Sequence, residues 1–216
     1  MKSLLLGIVA IIILGIGGLV YRNAVEHPLQ QIACPMDALV CPDGTSVARM
    51  GGTCTFPVCP PPNVSLSDIG IAFAIPTGFV AAEVSEATDV AAYELPATNA
   101  SSTSVASIVI RRYPIIASTT ALTTIKQTAI GGASGMPVSV TSFTSTVLGT
   151  HRFTVVSIER FEGVVDTAYY LARNVDVLRF DAIDREVANW TDSSLNVATL
   201  PARVALVKLL TTLQGQ

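Results

Sequence analysis

An uncharged apolar run occupies residues 4–20, preceded only by Met1, Lys2 and Ser3. At about 1.5 Å of rise per residue, residues 3–21 make a helix of about 28 Å, close to a bilayer's hydrocarbon thickness. A buried core helix would carry polar residues at helical spacing, and none interrupts this stretch. A cleaved signal peptide competes, because Gly15-Ile16-Gly17 offers small residues to a peptidase. The run nevertheless exceeds the usual apolar region of about 7–15 residues, and Tyr21-Arg22-Asn23 reads as an interfacial flank. The expectation is an uncleaved signal anchor over residues 1–22, with the membrane as partner of residues 3–21. Lys2 and Arg22 nearly cancel, so the flanking charges do not orient the anchor.

The cysteines supply the orientation. All four lie at Cys34, Cys41, Cys54 and Cys59, and the 157 residues after Cys59 contain none. An even, clustered set beyond an export signal reads as two disulfides in an oxidising compartment, with the pairing open among three possibilities. Zinc is the rival. Its ligand pairs sit about two to four residues apart, whereas six, twelve and four residues separate these cysteines and no histidine lies between them. The expected topology is a single-pass cell-membrane protein with a cytoplasmic N-terminus and an extracytoplasmic remainder.

After a juxtamembrane linker at 23–33 comes a four-cysteine module at 34–60. It has few apolar residues and many turn formers, among them Pro35, Pro42, Gly44, Gly51, Gly52 and Pro57. Crosslinks must supply the order that burial cannot. Val40-Cys41-Pro42-Asp43-Gly44-Thr45 resembles the Cys-x-Asp-Gly core of Kazal-type inhibitor modules, although those have six cysteines and a tyrosine after the core. The segment is more similar to a small four-cysteine module found beside membrane anchors in candidate-phyla bacteria. The residues that carry this likeness are Cys41-Pro42-Asp43-Gly44, Val47, Arg49, Gly51, Cys54, Phe56 and Cys59-Pro60. The Kazal resemblance implies an inhibitory loop over residues 43–49. The other implies no activity.

Pro60-Pro61-Pro62 stiffens a proline-rich linker at 61–68, and residues 69–214 read as one domain. Ile69, Ile71, Phe73 and Ile75 alternate with small residues, as in a half-buried strand. Segments 90–95, 105–112, 138–148, 152–161 and 164–183 continue the strand pattern. Gly149-Thr150 and Glu162-Gly163 supply turns between them, and the longest segment must fold back near Asn174. Ser118 is placed to cap a helix carrying Leu122, Ile125 and Ala129 on one face. A last helix starts at Pro201, with Val204, Leu206, Val207, Leu209, Leu210 and Leu213 apolar. The expected fold class is α+β, an antiparallel sheet flanked by helices. The stretch Ile71-Ala72-Phe73-Ala74-Ile75-Pro76-Thr77-Gly78-Phe79 and the closing helix from Leu200-Pro201 resemble the PsbP-like family. That resemblance implies an α/β/α sandwich and a binding or assembly role.

Candidate chemistry is sparse. The two histidines are His27 and His151, the latter beside an expected hairpin turn. Ser134, in Gly132-Ala133-Ser134-Gly135, lacks the spacing of a nucleophile elbow, and the same glycines lack the ending of a phosphate loop. Asp176, Asp181, Asp184 and Glu186 gather with Arg179 and Arg185 around one strand. A metal or glycosidase site uses such groups, but alternating charge along a strand ordinarily marks its solvated face. Arg111 and Arg112 should face opposite ways across the pleat. Asn63, Asn99 and Asn189 open glycosylation-type triplets. With net charge −3, nucleic-acid binding is not expected. No catalytic, cofactor or metal residue is assigned. The expected function is non-enzymatic binding or scaffolding with an envelope protein partner. A protease-inhibitor-like cysteine module is the alternative, and an envelope hydrolase or metal-binding protein the third.

Overall fold

Alternating β-branched and aromatic residues build the largest element of this computed structural model, a seven-stranded antiparallel sheet. The structure describes residues 7, 12–19, 21–22, 34–41, 46–59, 61–97, 105–132 and 135–215. The contact pattern divides the chain into two compact units, Met1–Leu39 with Ala48–Pro57, and Val40–Val47 with Val58–Gln216. The strands in chain order are β1 (Ala38–Val40), β2 (Ser46–Ala48), β3 (Val64–Leu66), β4 (Ile71–Phe73), β5 (Val80–Ala82), β6 (Asp89–Leu95), β7 (Ala106–Pro114), β8 (Thr144–Leu148), β9 (His151–Phe161), β10 (Val164–Ala172), β11 (Asp176–Asp184) and β12 (Gln214–Gly215). Helices α1 (Ala121–Thr128) and α2 (Pro201–Thr211) join them.

The large sheet runs β5-β6-β7-β11-β10-β9-β8, a second sheet runs β12-β4-β3, and β1 and β2 form a two-stranded ribbon. Chain turns set most of the order. Glu162 and Gly163, at φ 49° and 78°, make the tight reversal between β9 and β10, as a two-residue hairpin with positive φ at both central positions requires. Gly149 turns β8 into β9 at φ 58°. Residues 173–175 turn β10 into β11, closed by Arg173 N–H donating to the Asp176 carbonyl at 2.9 Å.

The pleat of β10 sends alternate side chains into two cores. Tyr169 and Leu171 join Phe153, Phe180, Ile108 and Ile110 on one face, under α2 and the small sheet that holds Ile71 and Phe73. Ala168 and Tyr170 join Val156, Ile158 and Val177 on the other, where α1 contributes Ile125. Phe153 is fully buried and meets both Tyr169 and Phe180 edge-on, with ring centroids 6.4 and 6.2 Å apart.

The expected α+β fold, a PsbP-like α/β/α sandwich led by a transmembrane helix, is not what forms. The chain is mostly sheet, with twelve strands named here and α-helices of only 8 and 11 residues packed on it. At about 1.5 Å per residue these helices are about 12 and 16 Å long, whereas seven strands span about 29 Å. Each helix covers only part of a sheet face, and on the α2 side the strands of the small sheet share the cover. The α1 helix starts later than expected, since Thr120, not Ser118, caps it by accepting from Thr123 N–H at 3.2 Å. Leu122 lies 51% exposed while Ile125 is buried.

The membrane span over 3–21 is likewise corrected. Residues 12–19 are helical, as are 7, 21 and 22. Among the described residues no helix is long and apolar enough to cross a membrane. The single-pass cell-membrane localisation and its topology fall with that span.

Candidate functional site

Polar clusters and concavities occur at several places in the unit built on Val58–Gln216, and three of them bear on function. The first is a charged ladder on the α1 side of the large sheet. Arg179 and Asp181 stand two residues apart on β11, hence on one face, and Arg179 Nε donates to Asp181 Oδ1 at 2.7 Å. Arg111 on β7 donates to Asp181 Oδ2 and lies 2.9 Å from Asp89 on β6. Arg179 also lies 3.7 Å from Asp166 on β10. Its Nη1 donates to the Thr128 carbonyl at 2.6 Å, setting a cation at the negative end of α1. The strand alternation points to solvent for these residues. The structure corrects this: Asp181 is fully buried and Arg179 nearly so, because α1 and the loop after it cover that face.

Asp166 and Asp89 each bury an Oδ1 with no hydrogen-bond partner among the described residues. Asp166 differs in what burial does to it. Burial, then the nearby Asp181 carboxylate, push its pKa well above the ordinary 3.8, against the pull of Arg179 and Arg111. Asp166 is thus an acid held toward its neutral form. Tyr170, whose ring lies 5.7 Å from the Arg179 guanidinium, is pushed up to about 12, chiefly by burial.

The remaining acids of the β11 cluster do not converge on a site. Asp176 is fully buried at the far end of the strand, taking Arg173 Nε and Nη2 at 2.6 and 2.7 Å and Arg112 Nε at 2.7 Å. Asp184 accepts Ala202 N–H at 2.7 Å, supplying α2 with the cap that Leu200 lacks. Arg185 donates to Ser107 Oγ at 2.8 Å. Glu186 occupies a turn at φ 58°. Among the described residues no group of His, Cys, Asp and Glu is arranged to hold a metal ion. Arg111 and Arg112 do diverge, one to Asp181 and the other to Asp176.

The second place is a cavity of about 510 Å³ at the β10–β11 turn, lined by Asp68, Ile69, Arg112, His151, Leu171 and Arg173 among others. A carbonyl only accepts, so His151 must donate Nε2–H to Gly215 O at 2.8 Å, and Nδ1 sits 3.3 Å from Thr150 Oγ1. Nε2 is thus engaged in holding the chain, while Nδ1 faces only the hydroxyl of the neighbouring Thr150. His27 and Ser134 lie outside the described residues.

The third is a groove of about 540 Å³ between α2 and the edge strand β8. Leu148, Val155, Tyr169, Val204 and Val207 line it, with Arg203 and Lys208 also on its wall. Because β8 closes one end of the sheet, only β9 pairs with it among the described residues. Sequence periodicity showed α2's apolar stripe, but not that Val204 stops short of the core and walls a groove together with the partly buried Val207. Val204 remains 38% exposed.

The cysteine segment resolves its pairing as Cys34–Cys54 and Cys41–Cys59. No described cysteine is free, so none is left to bind zinc as thiolate. Arg49, in the loop expected to inhibit, donates to Asp37 at 2.7 and 3.0 Å and to the Cys54 carbonyl at 2.9 Å. Its guanidinium stacks 4.2 Å over Phe56. It clasps its own module. Residues 43–45 of that loop, and Asn99 of the triplets, lie outside the described residues. Asn63 Oδ1 accepts Ile75 N–H at 2.9 Å, and Asn189 is exposed.

These features define a disulfide-bearing sheet protein with a ligand-sized groove at one sheet edge. No protein-family model matches the chain, and no curated protein matches it. Among solved structures it is similar to a protein from Bacteroides thetaiotaomicron VPI-5482, determined by crystallography at 1.50 Å. The two share 8% identity over 68% of this chain and 45% of that one, with a TM-score of 0.42. The chain thus spans less than half the length of that protein.

Proposed function

We propose that this chain is a non-catalytic binding protein of an oxidising, extracytoplasmic compartment, and that it takes an extended polypeptide segment along the groove between α2 and β8. The observation that carries this reading is the coincidence of an unpaired strand edge with a side-chain groove. A segment added to β8 gains main-chain hydrogen bonds while alternate side chains enter the groove. Leu148, Val155, Tyr169, Val204 and Val207 suit apolar side chains, and Arg203 and Lys208 favour acidic ones. Two disulfides support the compartment. The engagement of His151, Asp176, Asp181 and Asp184 in structural bonds favours binding over turnover.

A synthetic peptide with valine and glutamate taking turns at every second position, and serine between them, is the probe, since both then face the groove. On binding, amides of β8 should gain protection from hydrogen exchange, and Lys208→Glu should weaken binding about tenfold, the worth of one charge-assisted contact. Binding that leaves β8 amides unprotected would overturn this reading.

A further inference from the structure

Arg112 and Arg173 both converge on the one buried carboxylate of Asp176. A single carboxylate offsets one guanidinium, so the trio keeps a net positive charge. The two cations differ. Arg173 is 10% exposed in its side chain, gives Nε and Nη2 to Asp176 and Nη1 to the Ile69 carbonyl at 2.6 Å, and is fully employed. Arg112 is 40% exposed and uses only Nε, at 2.7 Å from Asp176 Oδ2. Its terminal nitrogens have no partner among the described residues, and it lines the cavity of about 510 Å³ at the β10–β11 turn. The volume lies within the range of about 300–1,000 Å³ typical of small-molecule sites.

From this geometry we infer a second, independent site, in which Arg112 binds the carboxylate of a small organic anion whose apolar body lies against Ile69, Leu171 and Val175. Asp176 holds Arg112 by Nε, which presents the outer Nη edge of the guanidinium in the orientation a carboxylate accepts. Ile69 is buried and Leu171 nearly so, giving the cavity an apolar wall. Asp68 also lines the cavity and is exposed. Its negative charge disfavours dianions such as phosphate and selects a monoanion.

The probe is hexanoate, with hexylamine and inorganic phosphate as comparisons, added to the full chain. The readout is the Arg112 side-chain Nε–H resonance, which its bond to Asp176 protects from exchange. Hexanoate should shift that resonance saturably, and the other two should not. Arg112→Leu should weaken hexanoate binding about tenfold or more, the scale of a hydrogen bond to a charged group. Because that variant also strips a partner from buried Asp176, Val175→Trp is the second test. Val175 lines the cavity from the turn and is 64% exposed, and the indole should fill the space, abolishing the hexanoate response while leaving the Asp176 trio intact. An unresponsive resonance in the wild type, or an equal response in Val175→Trp, overturns the site. Loss of peptide binding at β8 is a separate result and does not bear on it.

Discussion

Arg179 Nε and Asp181 Oδ1, 2.7 Å apart on β11, form an ion pair with both side chains at 8% exposure or less. Removing one partner of such a pair leaves the other charge buried and uncompensated, at a cost of about 3–5 kcal/mol. Arg179→Met and Asp181→Asn should each destabilise on that scale in urea unfolding. The double variant R179M/D181L, which replaces the pair with apolar side chains, should cost less than either single change. Costs that simply add would show that the two groups do not act as a pair.

Asp166 makes stability depend on pH in the direction opposite to an ordinary carboxylate. Its folded-state pKa is raised well above 3.8, first by burial and then by Asp181. From about pH 4 upward, the unfolded chain gives up this proton while the folded chain keeps it. Its contribution to stability is therefore full below pH 4 and falls as pH rises toward the raised value. Asp166→Asn should stabilise the protein near neutrality, by a margin that grows between pH 4 and 7. A difference in urea midpoint that stays flat across that range would refute the assignment. Asp176 does not confuse the comparison. Burial opposes its ionisation, but the hydrogen bonds from Arg173 and Arg112 win and lower its pKa, so its stability loss comes as pH falls below about 4.

Gly149 is a test of backbone constraint. It sits at φ 58°, and a Cβ there would meet the Thr211 carbonyl oxygen at 2.9 Å. Gly70 has φ 64° with nothing near a Cβ. Substitution by alanine should cost about 1–2 kcal/mol at Gly70 from the left-handed conformation alone. Gly149→Ala should cost clearly more, because α2's last turn blocks it. Equal melting-temperature losses would mean that the approach of the β8–β9 turn to α2 is loose.

The two disulfides close spans of 20 and 18 residues. In the chain-entropy account each is worth about 3 kcal/mol. Peptide mapping without reduction should recover the linked pairs 34–54 and 41–59. Replacing Cys34 and Cys54 with alanine should loosen hydrogen exchange at Arg49 and Thr55 while leaving the β9–β11 amides protected. Simultaneous loss of protection in those strands would show that the large sheet depends on that crosslink.

The sequence exposed the sheet's punctuation better than its coverage. Gly149, Gly163 and the reversal at residues 173–175 are local features, and the backbone turns where glycine and asparagine place it. Burial of Asp181 was hidden because its partner Arg111 lies 70 residues away. The helix that roofs the pair is also remote in sequence. A period of two marks which residues share a face, but not whether another element covers that face. Short strands escaped for a related reason. The two-residue β12 and three-residue β3 have too little length for periodicity, and exist because each pairs with β4. The balance of helix and sheet shifted with them. The α2–β8 groove depended on how far along the sheet Val204 and Val207 fell, which no local pattern encodes.

The charged ladder joins Asp89, Arg111, Asp181, Arg179 and Asp166 across β6, β7, β11 and β10. Its members are therefore not free to drift one at a time. Losing any inner charge strands its neighbours, so the first step of most single-residue routes is unfavourable, and the second step is favourable only after the first. Relatives of this chain should accordingly carry the five positions as a block, retained whole or exchanged whole for apolar residues. Intermediate combinations should be rare and confined to the ends, at Asp89 and Asp166.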